Sequence, residues 1–177
     1  MKLTNDLADY LLRLPKKIVE KDTFLDKVEI QQSFPFSERY ELISEQDDEY
    51  TFLWVIQQSE KNRIRVSFHH QEDDSKTGLI RIDYNSGHKN PEIITDLVPK
   101  RFHPYVGKHF ENHEHHIHYH VQGYRTLHWA IPLSDDNFPI KELNADPSFN
   151  TTFVEVIQSF ASLVNIETEI IFNPILL

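Results

Sequence analysis

Four segments between residues 62 and 132 alternate apolar and polar side chains with a period of two, and this pattern constrains the fold most. In the first segment Ile64, Val66 and Phe68 alternate with arginine, serine and histidine. The same alternation recurs over 79–85, 115–121 and 126–132. Successive side chains of a strand point to opposite faces, so each segment presents one apolar and one polar face. The pattern predicts an antiparallel sheet with a core on one side only.

Helical spacing marks two segments near the ends of the sequence. Leu7, Leu11 and Leu14 recur at helical intervals, with Asn5 in the capping position. Residues 150–164 carry a second apolar stripe. Further extended segments precede the alternating ones. We therefore predict an α+β fold in a single domain, residues 1–177: a mainly antiparallel sheet of about six to eight strands, with an N-terminal and a C-terminal helix packed on one face.

Composition excludes several kinds of site. The 177 residues include no cysteine, which excludes disulfides and Cys-ligated metal centres. The four glycines form neither a phosphate-binding loop nor a dinucleotide fingerprint. The formal net charge of −10 argues against a general nucleic-acid binder, because phosphate attracts a basic surface. An enzyme that contacts RNA at one small basic patch stays compatible with this charge.

The sequence also bears on localisation. Asp6 and Asp9 lie in the first segment, which lacks the apolar run of a signal peptide. No segment approaches the roughly 20 apolar residues that a membrane span requires. Together with the missing cysteine, this predicts a cytoplasmic protein of a reducing compartment that has no membrane partner.

Histidines are concentrated in one region, because nine of the eleven lie between His88 and His128. Alternation places His116, His118 and His120 on the polar face of one strand and His128 on that of the next. A three-residue loop, 123–125, keeps polar and apolar side chains on separate faces, since it pairs His120 with His128 and Tyr119 with Trp129. The polar face then collects eight side chains: Arg63, Arg65, Arg81, Asp83, His116, His118, His120 and His128.

Two chemistries suit this polar face, and an ordinary exposed sheet face explains the same residues equally well. Imidazoles beside arginine and aspartate can exchange protons with a phosphodiester and stabilise its charge. The candidate catalytic residues are Arg81, Asp83, His88, His116 and His118. The same imidazoles can bind a divalent metal such as zinc, nickel, manganese or iron. The candidate metal ligands are His116, His118, His120 and His128.

Three short motifs carry a resemblance to known proteins. They are Arg81-Ile82-Asp83, His88-Lys89-Asn90-Pro91 and His116-Ile117-His118. The sequence resembles a family of uncharacterised small bacterial and prophage proteins that carry Arg-x-Asp, His-x-Asn-Pro and His-x-His in this order. It is also distantly similar to TumE-type toxins of toxin–antitoxin pairs, which implies a ribonuclease-like growth inhibitor.

Three functions therefore stay open. The chain could be a ribonuclease-like hydrolase, metal-independent or metal-assisted, or a His-based metal-binding protein. It could also be a non-catalytic, acidic partner-binding protein of a mobile element. The corresponding partners are an antitoxin-like protein or host factor, RNA, or a second copy in a homodimer. If the helix at 150–164 packed on the histidine side, that face would be core and the site hypothesis would fail.

Overall fold

The computed structural model describes residues 3–173, which form two α-helices, twelve strands and two 3₁₀-helices. In chain order the elements are α1 (Asn5–Arg13), β1 (Lys17–Glu20), β2 (Thr23–Phe24), β3 (Lys27–Gln31), β4 (Ser37–Ile43), β5 (Thr51–Gln58), β6 (Val66–Glu72), β7 (Thr77–Tyr84), β8 (His88–Lys89), a 3₁₀-helix (Lys100–Tyr105), β9 (His109–Phe110), β10 (His116–Tyr119), β11 (Trp129–Pro132), a 3₁₀-helix (Leu133–Asp135), α2 (Phe149–Leu163) and β12 (Glu169–Asn173).

Eight strands form one sheet in the order β11-β10-β7-β6-β5-β4-β1-β2, and every neighbouring pair is antiparallel. The predicted α+β class with a mainly antiparallel sheet is confirmed. The chain leaves the sheet after β7 and returns as β10 beside it. This return places the strand that carries His116 and His118 directly against the strand that carries Arg81 and Asp83.

One face of the sheet is apolar and packs against α2. The Phe68 ring of β6 lies with its centroid 6.0 Å from that of Phe153 and 5.7 Å from that of Phe160, both on α2. Trp54 of β5 stacks on Phe160 at 6.3 Å. The stripe predicted over 150–164 is therefore a helix on the apolar face. Consequently α2 does not cover the histidine-bearing face.

Lys16 joins the ends of the two helices. Its fully buried side chain donates from Nζ to the carbonyl oxygens of Leu12, Leu14 and Val164 at 3.2, 2.7 and 3.0 Å. The last carbonyls of a helix lack intrahelical partners, so the amine of Lys16 supplies hydrogen-bond donors to both ends. Burial lowers the pKa of Lys16 to about 7.

The N-cap of α1 is Thr4 and not the predicted Asn5. Thr4 Oγ1 accepts from the backbone nitrogen of Leu7 at 3.2 Å. The Asn5 side chain is bound elsewhere: Nδ2 donates to Leu97 O at 2.7 Å, and Oδ1 accepts from Gln122 N at 2.8 Å. Hydrogen bonds to distant loops therefore prevail over the local capping preference of asparagine.

The strand predicted to begin at residue 62 begins at Val66, because residues 63–64 form a turn. Arg63 consequently leaves the predicted polar face. Its guanidinium donates to Asn150 Oδ1 at 2.8 Å, beside α2. The placement of Arg63 on the polar face is therefore wrong, since a turn residue does not follow the alternation of the strand after it.

Two short pairs of strands complete the fold. β3 pairs with β12 in parallel, and β8 pairs with β9 with His88 opposite Phe110. Residues 86–112 contain β8, β9 and the first 3₁₀-helix. This segment lies against the histidine end of the polar face. Among residues 3–173 no helix has the length and apolar character to cross a membrane.

Candidate functional site

The polar face of the sheet carries two rows of side chains that run across the strands. From β10 through β7 to β6, the rows are His116–Asp83–Ser67 and His118–Arg81–His69. Side chains directly opposite each other on antiparallel strands are close enough to contact. The register therefore brings two imidazoles, a carboxylate and a guanidinium together, as the alternation predicts.

Backbone carbonyls fix the protonation of the two central imidazoles. His118 Nδ1 lies 2.8 Å from Leu127 O, and His116 Nδ1 lies 2.9 Å from Glu114 O. A carbonyl oxygen only accepts, so Nδ1 of each ring carries the proton and Nε2 of the neutral ring carries a lone pair. Both rings are fully buried. Metal-binding histidines use such partners to fix their tautomer and orientation.

Asp83 Oδ2 lies next to both Nε2 lone pairs. It is 3.1 Å from His118 Nε2 and 3.7 Å from His116 Nε2. The three donor atoms all lie within 4.8 Å of one another. Within residues 3–173, His116 Nε2 has no hydrogen-bond partner. Three electron-pair donors thus converge in a buried place, which is an arrangement that a cation stabilises.

Arg81 supplies positive charge to this cluster. Its Nε donates to Asp83 Oδ2 at 2.8 Å, and its Nη2 donates to His118 Nε2 at 3.0 Å. Burial alone would raise the pKa of Asp83, but the positive charge of Arg81 outweighs it and lowers that pKa. Burial lowers the pKa of His118 to about 3, so this imidazole is neutral at pH 7.

His88 contributes a third oriented imidazole. Its Nε2 lies 3.1 Å from both Asn90 Oδ1 and the carbonyl oxygen of His128, so Nε2 donates and Nδ1 is unprotonated. Asn90 is buried, donates to Tyr105 O and Ala130 O, and accepts from Ala130 N. The buried amide therefore fixes the histidine of the His-x-Asn-Pro motif. Burial lowers the pKa of His88 to about 4.

Aromatic rings enclose part of the cluster, and Asp83 reaches a cleft. Ring centroids of His88 and His118 are 4.5 Å apart, and those of Phe110 and His116 are 4.6 Å apart. Asp83 also lines a cleft of about 520 Å³. The donor atoms are therefore shielded from bulk water but adjoin a cleft that a ligand could enter.

The structure separates the remaining candidates from this cluster. Arg65 lines the cleft beside Asp83 and donates to Ser86 Oγ at 3.3 Å. His120 turns toward the residues before α1, where its Nε2 lies 3.0 Å from Leu3 O. The ring of His128 lies 6.1 Å from that of His88, centroid to centroid. The predicted register of Tyr119 opposite Trp129 is confirmed, but β10 ends before His120 and β11 begins after His128.

Three groups that orient the cluster were not identified from the sequence. They are the amide of Asn90 and the carbonyl oxygens of Glu114 and Leu127. Asn90 has a signal in the sequence, since it lies two residues after His88 in the His-x-Asn-Pro motif. The two carbonyls have none, because every residue type carries one.

Residues 3–166 match the model of a family of unknown function, DUF6978. The chain belongs to the DUF6978 family. This agrees with the resemblance to an uncharacterised family predicted from the sequence, while the TumE-like activity stays a prediction. No curated protein and no solved structure matches the chain. In this DUF6978 chain the matched range includes Asp83, His88, Asn90, His116 and His118.

Proposed function

We propose that this DUF6978 chain binds one divalent transition-metal ion through Asp83 Oδ2, His116 Nε2 and His118 Nε2, and hydrolyses a phosphate ester there. The observation that carries the proposal is the convergence of the three donor atoms within 4.8 Å of one another. Two of them belong to buried imidazoles whose protons are held on the far nitrogen by backbone carbonyls.

The distances from Asp83 to the two imidazoles suit a metal site. Ligands about 2.1 Å from a tetrahedral ion lie about 3.4 Å from each other. Asp83 Oδ2 lies 3.1 Å from one Nε2 and 3.7 Å from the other. Two nitrogens and one carboxylate favour zinc, iron, manganese or nickel over magnesium and calcium, which prefer oxygen ligands. Arg81 would have to leave Asp83 and His118 when the ion enters.

The surroundings of the ligand set suit hydrolysis. A bound ion acts as a Lewis acid and lowers the pKa of a water molecule. The water oxygen would bond to phosphorus while the ester P–O bond breaks. The proton that the water loses would pass to the leaving oxygen through the unprotonated nitrogen of His88. Arg81, displaced toward the cleft, would neutralise charge on the phosphoryl oxygens.

The test is calorimetric titration of Zn²⁺ and Mn²⁺ into protein purified without a metal column. We expect one ion per chain and at least a 100-fold weaker affinity in Asp83→Asn and His118→Gln, because each removes a ligand. His113→Ala is the matched control, since His113 is exposed and outside the cluster. Hydrolysis of bis(p-nitrophenyl) phosphate with and without the ion measures the chemistry.

A second measurement protects the test against variants that fail to fold. Co²⁺ bound to the unaltered chain reports nitrogen and oxygen ligands through its visible absorption. Metal binding that survives His118→Gln but is lost in His113→Ala would overturn the metal centre. A bound ion without any phosphodiester cleavage would leave a metal-binding protein and overturn the hydrolytic part.

A metal-free acid–base site is the second candidate, and the position of Arg81 favours it. The guanidinium already neutralises Asp83 and occupies the lone pair of His118. In that case the unaltered chain would cleave the ester equally well in the presence of a chelator.

A further inference from the structure

A groove leads from Asp83 across the polar face of the sheet. The cleft beside Asp83 has a volume of about 520 Å³, and a second cavity of about 420 Å³ lies over the middle of the face. Both are lined by Gln57 and Ser67, so they adjoin. Each volume is in the range of small-ligand sites, roughly 300–1,000 Å³. We call the two cavities together the sheet groove.

The charge of the sheet groove differs from that of the whole chain. Five basic and three acidic side chains line it: Arg39, Lys61, Arg65, Lys76, Arg81, Glu60, Asp73 and Asp83. Its net charge is +2, whereas the whole chain has −10. Clefts lined by one sign of charge concentrate ligands of the opposite sign.

Most acidic side chains of the sheet groove form salt bridges with neighbouring basic side chains, whereas two of its arginines form none. Asp73 forms a salt bridge with Lys76 at 2.9 Å, and Asp83 forms one with Arg81 at 2.8 Å. Arg39 and Arg65 are exposed, and neither forms a salt bridge with any other residue of 3–173. These two guanidiniums are free to bind an anion.

The register fixes how far apart the cations lie. Arg81 is opposite His69, His69 is opposite Val55, and Val55 is opposite Arg39. Three strand-to-strand steps of about 4.8 Å separate Arg81 from Arg39 by about 14 Å. A single phosphate cannot reach both ends of this row, whereas consecutive phosphates of a nucleic-acid strand can. The anion that matches the row is therefore a chain of phosphates.

We infer that the sheet groove binds single-stranded nucleic acid through its phosphates and delivers one phosphodiester to the cluster of Asp83, His116 and His118. The inference rests on the proposed function for the chemistry at that cluster. Its specificity is for the backbone, because phosphate contacts carry no base information. RNA and DNA share this backbone, and the experiment distinguishes them.

The experiment measures fluorescence anisotropy of labelled eight-nucleotide strands, oligo-U RNA and oligo-dT DNA, together with an eight-base-pair duplex. Each is titrated with Zn²⁺-treated protein, either unaltered or carrying Arg39→Gln, Arg65→Gln or both. We expect about a tenfold weaker affinity for each substitution, and a salt dependence reduced by about 0.7 per lost phosphate contact. Arg13→Gln is the matched control, since Arg13 is an exposed arginine on α1.

Each outcome decides the inference. Strand binding that weakens in Arg39→Gln but not in Arg13→Gln supports the inference. A preference for oligo-U then identifies RNA as the ligand, and equal binding of both strands means that either polymer binds. Absence of strand binding, stronger duplex binding or equal loss in Arg13→Gln overturns the inference. The Zn²⁺ affinity of the same samples separates the two proposals. If the ion binds but the strands do not, strand binding by the sheet groove alone is overturned. If the strands bind but no ion does, the metal centre alone is overturned.

Discussion

At the scale of single residues, Asp83 and His118 bring two electron-pair donors close together. Their Oδ2 and Nε2 atoms are 3.1 Å apart, and the ring proton of His118 is on Nδ1, which faces Leu127 O. Two lone pairs at this distance repel each other unless positive charge lies beside them. Arg81 provides that charge now, so a metal ion and Arg81 compete for the same electron pairs.

This competition predicts the effect of Arg81→Gln. We expect Zn²⁺ to bind about tenfold more tightly, because the ion no longer displaces a cation from Asp83. The same variant should bind oligonucleotides more weakly, since the sheet groove loses a guanidinium. Calorimetry and anisotropy measure the two affinities, with Arg13→Gln as the control for both. Weaker Zn²⁺ binding in Arg81→Gln would show that Arg81 orients the ligands and does not compete.

Lys16 gives a prediction about stability and pH. Its pKa is lowered by burial to about 7 in the folded chain, whereas an unfolded lysine has about 10.4. Between these values the unfolded chain binds more protons, so the free energy of unfolding rises as pH increases. From pH 7 to 9, below the range where tyrosine titrates, we expect a gain on the order of 2 kcal/mol.

Urea unfolding at several pH values measures this gain. In Lys16→Met the rise should disappear, because no buried amine titrates. In Lys27→Met it should persist, because Lys27 is exposed on β3. An equal rise in all three proteins would assign the pH dependence to other groups and contradict the prediction.

At the scale of elements, the segment between β10 and β11 orients the cluster from behind. Leu127 supplies the carbonyl for His118 Nδ1 and has a φ of 51°, in the left-handed region. Its side chain packs on Gly78 of β7 so closely that a Cβ on Gly78 would lie 2.6 Å from Leu127 Cδ1. The absence of a side chain at Gly78 therefore lets Leu127 approach the strand and present its carbonyl to His118.

Gly78→Ala should then affect both stability and the cluster. We expect a loss of about 1–3 kcal/mol in the free energy of unfolding, from overpacking against Leu127. We also expect Zn²⁺ affinity to fall about tenfold in the folded variant, because the carbonyl partner of His118 moves. Urea unfolding and calorimetry measure the two effects. Thr77→Ala, at the neighbouring position of β7, is the control, and an unchanged Zn²⁺ affinity in Gly78→Ala would show that Leu127 does not orient His118.

The elements also show how much the sequence can predict. Alternation along a strand is local, so it correctly places Arg81, Asp83, His116 and His118 on one face. It fails for Arg63, which lies in a turn, and it does not extend to His120, beyond the end of β10. The sequence leaves the position of His88 open. That position depends on the contacts of Asn90 with β11, forty residues away, which no local pattern encodes.

At the scale of the whole molecule, the sheet separates the hydrophobic core from the candidate site. Its apolar face holds the core with α2, and its polar face holds the cluster and the sheet groove. Side chains that point to opposite faces of one strand do not share neighbours, so substitutions on the two faces should act independently. Phe160 of α2 is fully buried against Trp54 and Phe68, far from the polar face.

Phe160→Ala tests this separation. We expect it to lower the free energy of unfolding by about 3–5 kcal/mol, because a large buried ring is removed. The Zn²⁺ affinity of the molecules that stay folded should match the unaltered chain, since the three ligands and their carbonyl partners lie on the other face. Gln158→Ala, exposed on the same helix, controls for changes in α2 itself and should cost no more than about 0.5 kcal/mol. Urea unfolding gives the stability, and calorimetry well below the unfolding midpoint gives the affinity. A Zn²⁺ affinity that falls together with stability would mean that the core holds the ligands in place through the sheet, so that the polar face depends on α2.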